Sequence, residues 1–231
     1  MSDERVPEPR WSQPRARSPI APAPPVTVLA GWEVSGRQAK ADPADGTGLT
    51  ITDCTPLAKV QLRAPANGQA AAAVGVRFGR AARDPAGTLV VGSGPGEWLL
   101  LAAPGHAPEL ESRLASIAAQ APGEHVTLVD LTHGRALIRL TGTSAVDVLA
   151  RICGIDLSDA ITPDGAALRT SVSSVATDII RDDRNGALSY LLHCERSSGD
   201  YLFRSLLRAG ADHGIEIDGF RLPPSPAPLS I

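Results

Sequence analysis

The chain has 231 residues, a formal net charge of −3 and a pI near 5.9, and 43% of its residues are hydrophobic. This length gives one domain or two small ones with a real core, and the acidic balance argues against a nucleic-acid-binding protein, which usually carries a basic stripe. The longest apolar run, 98–103, is far shorter than the ~18 residues of a membrane span. We also expect no secretory signal, because the N-terminus lacks an unbroken apolar core.

The cysteines point to the cellular compartment. Cys54, Cys153 and Cys194 are widely spaced, odd in number and form no CxxC motif. Such a pattern is typical of reduced thiols rather than of disulfides or a metal site. We therefore predict a cytoplasmic protein.

Proline divides the chain into a central body and two ends. Residues 1–25 hold seven of the 20 prolines and residues 221–231 hold four. These ends show no apolar period, so they cannot bury enough surface to offset the entropy lost on ordering. We predict a disordered or extended segment over 1–46, whose part from 26 onward is an irregular lead-in. The folded domain is predicted over 47–220 and a proline-rich tail over 221–231.

Within the folded body, two stretches resemble each other. Residues 51–63 (ITDCTPLAKVQLR) lie over residues 128–140 (LVDLTHGRALIRL). Both copies indicate a strand, a polar corner and a second strand with alternating apolar residues. The matched pairs are Asp53 with Asp130, Thr55 with Thr132 and, after a one-residue shift, Val60 with Ile138 and Leu62 with Leu140.

The remaining predicted elements repeat in the same order in both halves. In the first half they are an alanine-rich helix over 69–76, a strand over 97–103 and a helix over 107–120. In the second half they are a helix over 143–153, strands over 167–173 and 175–181, a hairpin turn over 182–186, a strand over 188–194 and a helix over 198–209. Ser197 and Asp200 resemble a capping box for that last helix, and Gly210 ends it. The chain is thus predicted to be an α+β protein with two similar halves, about 47–122 and 123–220.

Sequence signatures of catalysis are absent: no phosphate-binding loop, nucleophile elbow or zinc-binding HExxH motif occurs. The run GSGPG at 92–96 precedes a strand rather than a helix, so it is interpreted as a tight turn. With only eight aromatic residues, the chain offers no evident platform for stacking nucleotides. Trp98, which begins an apolar strand, is expected in the core or an interface.

Several polar residues are candidates for ligand binding or catalysis. Asp130, Thr132, His133 and Arg135 lie at one predicted strand corner and could orient a polar ligand, but the repeated Asp-x-Thr favours backbone capping instead. His193 is expected at a surface or sheet edge. The adjacent carboxylates Asp182 and Asp183 are expected to be solvated in a turn. We accordingly predict no catalytic, cofactor-binding or metal-binding residue in this chain.

Several motifs, in order, resemble the gamma subunit of heterotetrameric sarcosine oxidase. They are DCTPLAKV (53–60), GPGEWLLL (94–101), VDLTHGRA (129–136) and LARICGIDL (149–157), in which Gly154 stands where that family usually has proline. The likeness covers about 49–209. It implies the fold of the folate-binding domain of aminomethyltransferases, with two tandem ferredoxin-like halves.

The resemblance also implies an activity for the whole complex. Such complexes oxidise sarcosine to glycine and pass the methyl carbon to tetrahydrofolate, with FAD, FMN and NAD held by the alpha and beta subunits. A zinc-binding delta subunit completes the tetramer. The gamma chain is implied to be structural, with no nucleic-acid or membrane partner, and no family catalytic residue maps onto a position here.

Alternatives to this assignment remain open. One alternative is a subunit of a related N-methyl amino acid dehydrogenase, which would have a similar sequence. A stand-alone, folate-binding aminomethyltransferase-like protein would need a buried acidic residue on the pterin, with Asp130 as the candidate. An interaction module would instead use the proline- and arginine-containing segment 1–25 as its recognition peptide.

Overall fold

The computed structural model of the protein describes residues 14–41, 48–184 and 186–223. Its strands are β1 (Ala16–Arg17), β2 (Val26–Leu29), β3 (Trp32–Ser35), β4 (Thr50–Asp53), β5 (Ala58–Arg63), β6 (Ala81–Arg83), β7 (Leu89–Gly94), β8 (Glu97–Ala102), β9 (Thr127–Asp130), β10 (Arg135–Thr141), β11 (Ala167–Val172), β12 (Val175–Arg181), β13 (Ser189–Glu195) and β14 (Glu216–Asp218). Its α-helices are α1 (Gln69–Val74), α2 (Ala107–Ala119), α3 (Ala145–Ala150) and α4 (Gly199–Ala209). Short 3₁₀ turns occupy Arg196–Ser198 and Ala211–His213.

Two large sheets carry the predicted duplication. The first has the strand order β6-β7-β8-β5-β9 and the second β11-β12-β13-β10-β4-β14. In the first sheet, β9 comes from the second half of the sequence and pairs with β5. In the second sheet, β4 comes from the first half and pairs with β10. The registers also match, since Asp53 faces Ile138 and Asp130 faces Val60. The predicted two-halved α+β fold is confirmed, and the two halves exchange their first strands.

The sheets pack face to face, with helices on the outer faces. Successive side chains along a strand point to opposite faces of the sheet, so each strand can contact the other sheet on one face and a helix on the other. Leu99 and Leu101 of β8 pack between the sheets with Leu137, whereas Trp98 and Leu100 pack under α2. The second sheet packs against α3 and α4 on its outer face. Because both faces of β8 are buried, its sequence is continuously apolar rather than alternating.

The N-terminal segment is more ordered over residues 14–41 than its composition predicted. Strands β1, β3 and β2 form a separate three-stranded sheet, so the irregular lead-in expected from residue 26 is wrong for 26–35. Ile20, Trp32 and Val34 are buried in the cores of the domain. Burial of these three apolar side chains supplies the driving force that a loose segment would lack. The expectation for residues 1–13 lies outside the described residues.

Two helix predictions need correction at their ends. The helix predicted over 143–153 is α3, only Ala145–Ala150, because the chain then turns and Cys153 forms a bridge with Val172. The Ser197–Asp200 capping box is wrong: α4 begins at Gly199 without a side-chain cap, and Asp200 pairs with Arg204 at 2.8 Å. A Cβ at Gly199 would lie 2.6 Å from that of Ala136, so the close approach of helix and sheet requires glycine. In the described ranges, no helix has the length and apolar character needed to cross a membrane.

Candidate functional site

The two Asp-x-Thr corners tie the halves together where their strands exchange. Asp53 Oδ1 accepts a hydrogen bond from the Thr55 amide at 3.0 Å, and Asp130 Oδ1 accepts one from the Thr132 amide at 2.8 Å. Each threonine hydroxyl then accepts a hydrogen bond from a backbone amide of the opposite half. The corners therefore cap backbone amides, as their repetition in the sequence predicted.

A buried lysine lies between these corners. Lys59 is fully buried, and its Nζ donates hydrogen bonds of 2.7 Å to the carbonyl oxygens of Thr55 and Leu57. Burial lowers the pKa of Lys59 to about 7, although the carboxylates of Asp53 and Asp130 oppose the shift. Lys59 was not among the candidate residues predicted from the sequence. The signal was the repeat itself, which places Lys59 one residue before Val60, where the other copy has Leu137 before Ile138.

Asp53 is affected by the same surroundings. Burial raises its pKa, while hydrogen bonds from Ser18 and Thr55 and the charge of Lys59 act in the opposite direction. Its carboxylate is therefore held by the N-terminal segment, the corner and the buried lysine together. The arrangement is a structural junction of polar groups within the core.

His193 belongs to a second polar cluster, and its expected position at a surface or edge is wrong. It lies buried in β13, between β12 and β10, and its Nδ1 is 3.0 Å from Asp178 Oδ2. Burial lowers the pKa of His193, so the neutral ring donates from Nδ1 to Asp178. Its Nε2 is buried and has no hydrogen-bond partner among the described residues. The sequence of β13 alone does not reveal that both of its faces are covered.

The rest of this cluster extends from Asp178 towards the first sheet. Arg169 Nε donates to Asp178 Oδ1 at 2.6 Å, and Arg169 Nη2 donates to Glu97 Oε1 at 2.8 Å. Burial alone would raise the pKa of Asp178, but the hydrogen bonds from His193 and Arg169 lower it. Arg169 thus links strands of both sheets through two carboxylates. Ion pairs of this kind favour one relative arrangement of the sheets.

The candidate residues of the second corner do not converge on one point. His133 stacks on Trp32, with ring centroids 4.9 Å apart and planes inclined by 10°. Arg135 forms an ion pair with Glu195. Since Asp130 and Thr132 hold backbone amides, each of the four side chains has its own partner. This corner shows no shared ligand position among the described residues.

Contrary to expectation, Asp182 is buried and Asp183 is only partly exposed. Asp182 is 8% exposed and accepts hydrogen bonds from Arg83 at 3.0 Å, Arg139 at 2.7 Å and Arg184 at 2.9 Å. Burial opposes ionisation, yet these three guanidinium groups lower the pKa of Asp182. Asp183 binds Arg181, with Nη2–Oδ2 at 3.0 Å. The turn packs against the first sheet, and local composition does not reveal such a tertiary contact.

The glycine-rich run and the cysteines have structural roles. A Cβ at Gly92 would lie 2.3 Å from the carbonyl oxygen of Arg77, and Gly96 has a φ of +72°, so this segment is a tight, closely packed turn. Trp98 is buried, and its Nε1 donates to the carbonyl oxygen of Val76. Burial raises the pKa of the Cys54 and Cys194 thiols to about 11. Across the described ranges, His, Cys, Asp and Glu side chains form no group of three that could hold a metal ion.

Two packed sheets with exchanged first strands and helices outside define a duplicated α+β domain. The chain belongs to the GCVT N-terminal domain family, whose sequence model matches residues 90–221. It is 30% identical over 127 residues to an aminomethyltransferase of Geobacillus thermodenitrificans (strain NG80-2), a match covering 55% of this chain and 33% of that protein. The chain therefore spans about a third of the length of this curated relative.

Solved structures show the same relationship. A chain of the heterotetrameric sarcosine oxidase from Corynebacterium sp. U-96 is similar with a TM-score of 0.62 and 26% identity, over 73% of this chain and 86% of that chain. Aminomethyltransferase T of the glycine cleavage system from Bartonella henselae has a TM-score of 0.61 at 17% identity, over 84% of this chain and 55% of that chain. The likeness to the sarcosine oxidase and aminomethyltransferase group is thus confirmed, together with its fold.

Proposed function

We propose that this chain is the gamma-type subunit of a sarcosine-oxidase-like complex in the cytoplasm. The complex oxidises sarcosine to glycine, with tetrahydrofolate as the one-carbon acceptor. Partner subunits corresponding to alpha and beta hold FAD, FMN and NAD, and a delta-type subunit completes the complex. The chain itself is a structural subunit that contributes no catalytic residue.

The observation that carries this proposal is the extent of the structural match. The matched region makes up 86% of the sarcosine oxidase chain and 73% of this one. By contrast, the same fold makes up only about half of the Bartonella henselae aminomethyltransferase. The match to the sarcosine oxidase chain thus covers most of that chain and has the higher identity of the two, 26% against 17%, which supports the subunit assignment.

The internal polar chemistry agrees with a structural role. Lys59, Asp178 and Asp182 are buried, and each is bound by groups of this same chain. Buried charged groups that are bound within the chain stabilise one arrangement of the sheets and are not free to bind a substrate. Catalytic groups, in comparison, need access to the reacting atoms.

The surface offers apolar side chains for a partner. Val26 and Val28 are 52% and 45% exposed on β2, an edge strand of the three-stranded sheet. Alternate residues of a strand share one face, so these two valines form a continuous exposed row. An exposed edge strand with apolar side chains is a common site of pairing with another chain. These features support assembly with a larger partner.

The experiment compares the complex made with and without this chain. The chain is co-expressed with the alpha, beta and delta chains of an oxidase from the same source, and sarcosine-dependent peroxide formation and assembly are measured. We expect co-purification in equal amounts and loss of assembly when this chain is omitted. A chain that purifies alone, while the oxidase assembles and works without it, would refute the proposal.

The family match also favours one alternative, a folate-binding transferase-like protein acting alone. Asp130, the acidic residue considered for the pterin, is exposed, and its Oδ1 is bound to the Thr132 amide. Calorimetric titration of the isolated chain with tetrahydrofolate distinguishes the two functions. Saturable binding favours the alternative, whereas no heat at high micromolar ligand removes it.

A subunit of a related N-methyl amino acid dehydrogenase is distinguished by comparing the complex's activity on sarcosine with that on other N-methylated amino acids.

A further inference from the structure

A cleft of about 530 Å³ lies between the β6–β7 loop, the first turns of α2 and the turn before β13. Its volume is in the range of sites that bind small molecules. Its walls combine small apolar side chains with guanidinium groups. The apolar residues are Ala86, Ala102, Ala103, Leu110 and Pro223, and the arginines are Arg83, Arg113 and Arg184.

The floor of the cleft carries more positive than negative charge. A smaller adjoining cavity of about 50 Å³ is lined by Arg83, Arg139 and Arg184. All three donate to one carboxylate, that of Asp182, which neutralises only one of the three charges. Burial lowers the pKa of Arg184, as do the neighbouring charges of Arg139 and Arg83, although Asp182 opposes this. The trio therefore has an uncompensated charge of +2.

The other charged residues that line the cleft, counted with their ion-pair partners, do not cancel this excess. Arg113 is paired with Asp84 at 2.5 Å, so this arginine and this aspartate compensate each other. Glu109, in the first turn of α2, is the carboxylate among the lining residues. His106, also in the lining, has its Nδ1 3.3 Å from the carbonyl oxygen of Pro104. With these groups counted, the cleft retains a net charge of about +1 beside Arg184.

We propose that this cleft binds a small organic anion whose terminal phosphate or carboxylate group contacts Arg83 and Arg184. Guanidinium groups bind such anions through paired N–H donors. The arginines come from both halves, Arg83 from β6 and Arg184 from the turn after β12. The apolar body of the ligand lies against Ala102, Ala103 and Leu110. An anion there neutralises the excess charge that Asp182 leaves.

The test uses defined probes on the full chain at constant ionic strength. Phenyl phosphate and benzoate distinguish the two anionic groups, inorganic phosphate tests the need for an apolar body, and benzyl alcohol is the neutral control. Binding is measured by calorimetry. We expect saturable binding of at least one aromatic anion, weaker binding of inorganic phosphate and none of benzyl alcohol.

Variants locate the binding. Arg184→Gln should weaken binding at least tenfold, while Arg83 and Arg139 still bind Asp182. The control Arg204→Gln, at an exposed ion pair on α4, should leave the affinity unchanged. Ala86→Glu adds a negative charge to an exposed lining position and should weaken binding without disturbing the core. Ala86→Glu decides the question if Arg184→Gln does not fold. No saturable binding at 10 mM of either aromatic anion, or unchanged affinity in a folded variant of the cleft, would overturn the proposal.

Discussion

Lys59 and Leu137 occupy equivalent places in the two halves of the molecule. The Lys59 amide donates to the Thr132 hydroxyl at 3.0 Å, and the Leu137 amide donates to the Thr55 hydroxyl at 3.2 Å. Their carbonyl oxygens accept from the residues that follow Asp130 and Asp53, each at 2.8 Å. One half thus buries a titratable amine where the other half buries an alkyl group.

This difference predicts a pH dependence of stability. The pKa of Lys59 is about 7 in the folded chain, below its ordinary value near 10.5, so the unfolded chain binds more protons between these values. The free energy of unfolding should therefore rise from pH 7 to 8.5, by up to about 1.4 kcal/mol per pH unit. Urea denaturation across this range measures the slope.

Lys59→Met provides the control, because it keeps the length of the side chain and removes the charge. The variant should have a flat profile from pH 7 to 8.5. Above this range the buried thiols of Cys54 and Cys194 act oppositely, since their raised pKa makes the unfolded chain lose protons first. Equal slopes for the wild type and Lys59→Met would show that Lys59 is not the titrating group.

The paired threonines predict matched effects on stability. Thr55 and Thr132 are buried, and replacing either with valine leaves a buried amide of the opposite half without an acceptor. Each substitution should lower the free energy of unfolding by about 1–3 kcal/mol. Serine at either position keeps the hydroxyl and should cost less than valine. The exchange of strands would not depend on these hydroxyls if valine proved as stable as serine.

Asp182 is expected to be the most sensitive carboxylate for stability. Asp182→Asn leaves three arginines without a charged partner and should destabilise the fold by about 3–5 kcal/mol. Asp200→Asn, at an exposed helical pair with Arg204, should change stability by less than about 0.5 kcal/mol. Thermal unfolding of both variants measures the difference. Similar small losses in the two would mean that the arginines are solvated.

His193 should titrate below an ordinary histidine. Its pKa is lowered from 6.5 by burial, so the unfolded chain binds a proton first as the pH falls below 6.5, and stability decreases there. Proton NMR of the imidazole resonances follows each histidine, and His193→Asn assigns the signal. We expect this resonance to shift at a pH below the ordinary histidine value of 6.5. A transition of His193 at or above pH 6.5 would contradict its buried, neutral state.

Much of the fold could be predicted from the chain's internal repeat. The matching of Val60 with Ile138 and of Leu62 with Leu140 reflects real equivalence, since their strand partners correspond in the two sheets. The exchange of β4 and β9 could not be predicted, because similarity between segments does not specify which strand pairs with which. The order of residues 14–41 was also missed, since three apolar side chains in a proline-rich background gave no periodic pattern.

The polar clusters show why site residues are harder to predict. Asp182 follows β12 in a turn of polar residues, and only the packing of the other half against it brings Arg83 close. His193 resembles an edge residue in sequence, although strands cover it on both sides. The corner threonines were predictable because the same pattern occurs twice. Contacts between the halves, unlike repeated local motifs, leave no signal in a single sequence.

We propose that this chain is an obligatory structural subunit of a larger flavoenzyme. Native mass spectrometry of the co-expressed complex tests it most directly, because one copy of this chain adds 24.0 kDa. We predict a single assembly containing one such copy together with the alpha, beta and delta chains, and no intact assembly when it is left out. An oxidase of full activity whose measured mass has no room for this chain would contradict its role as an obligatory subunit.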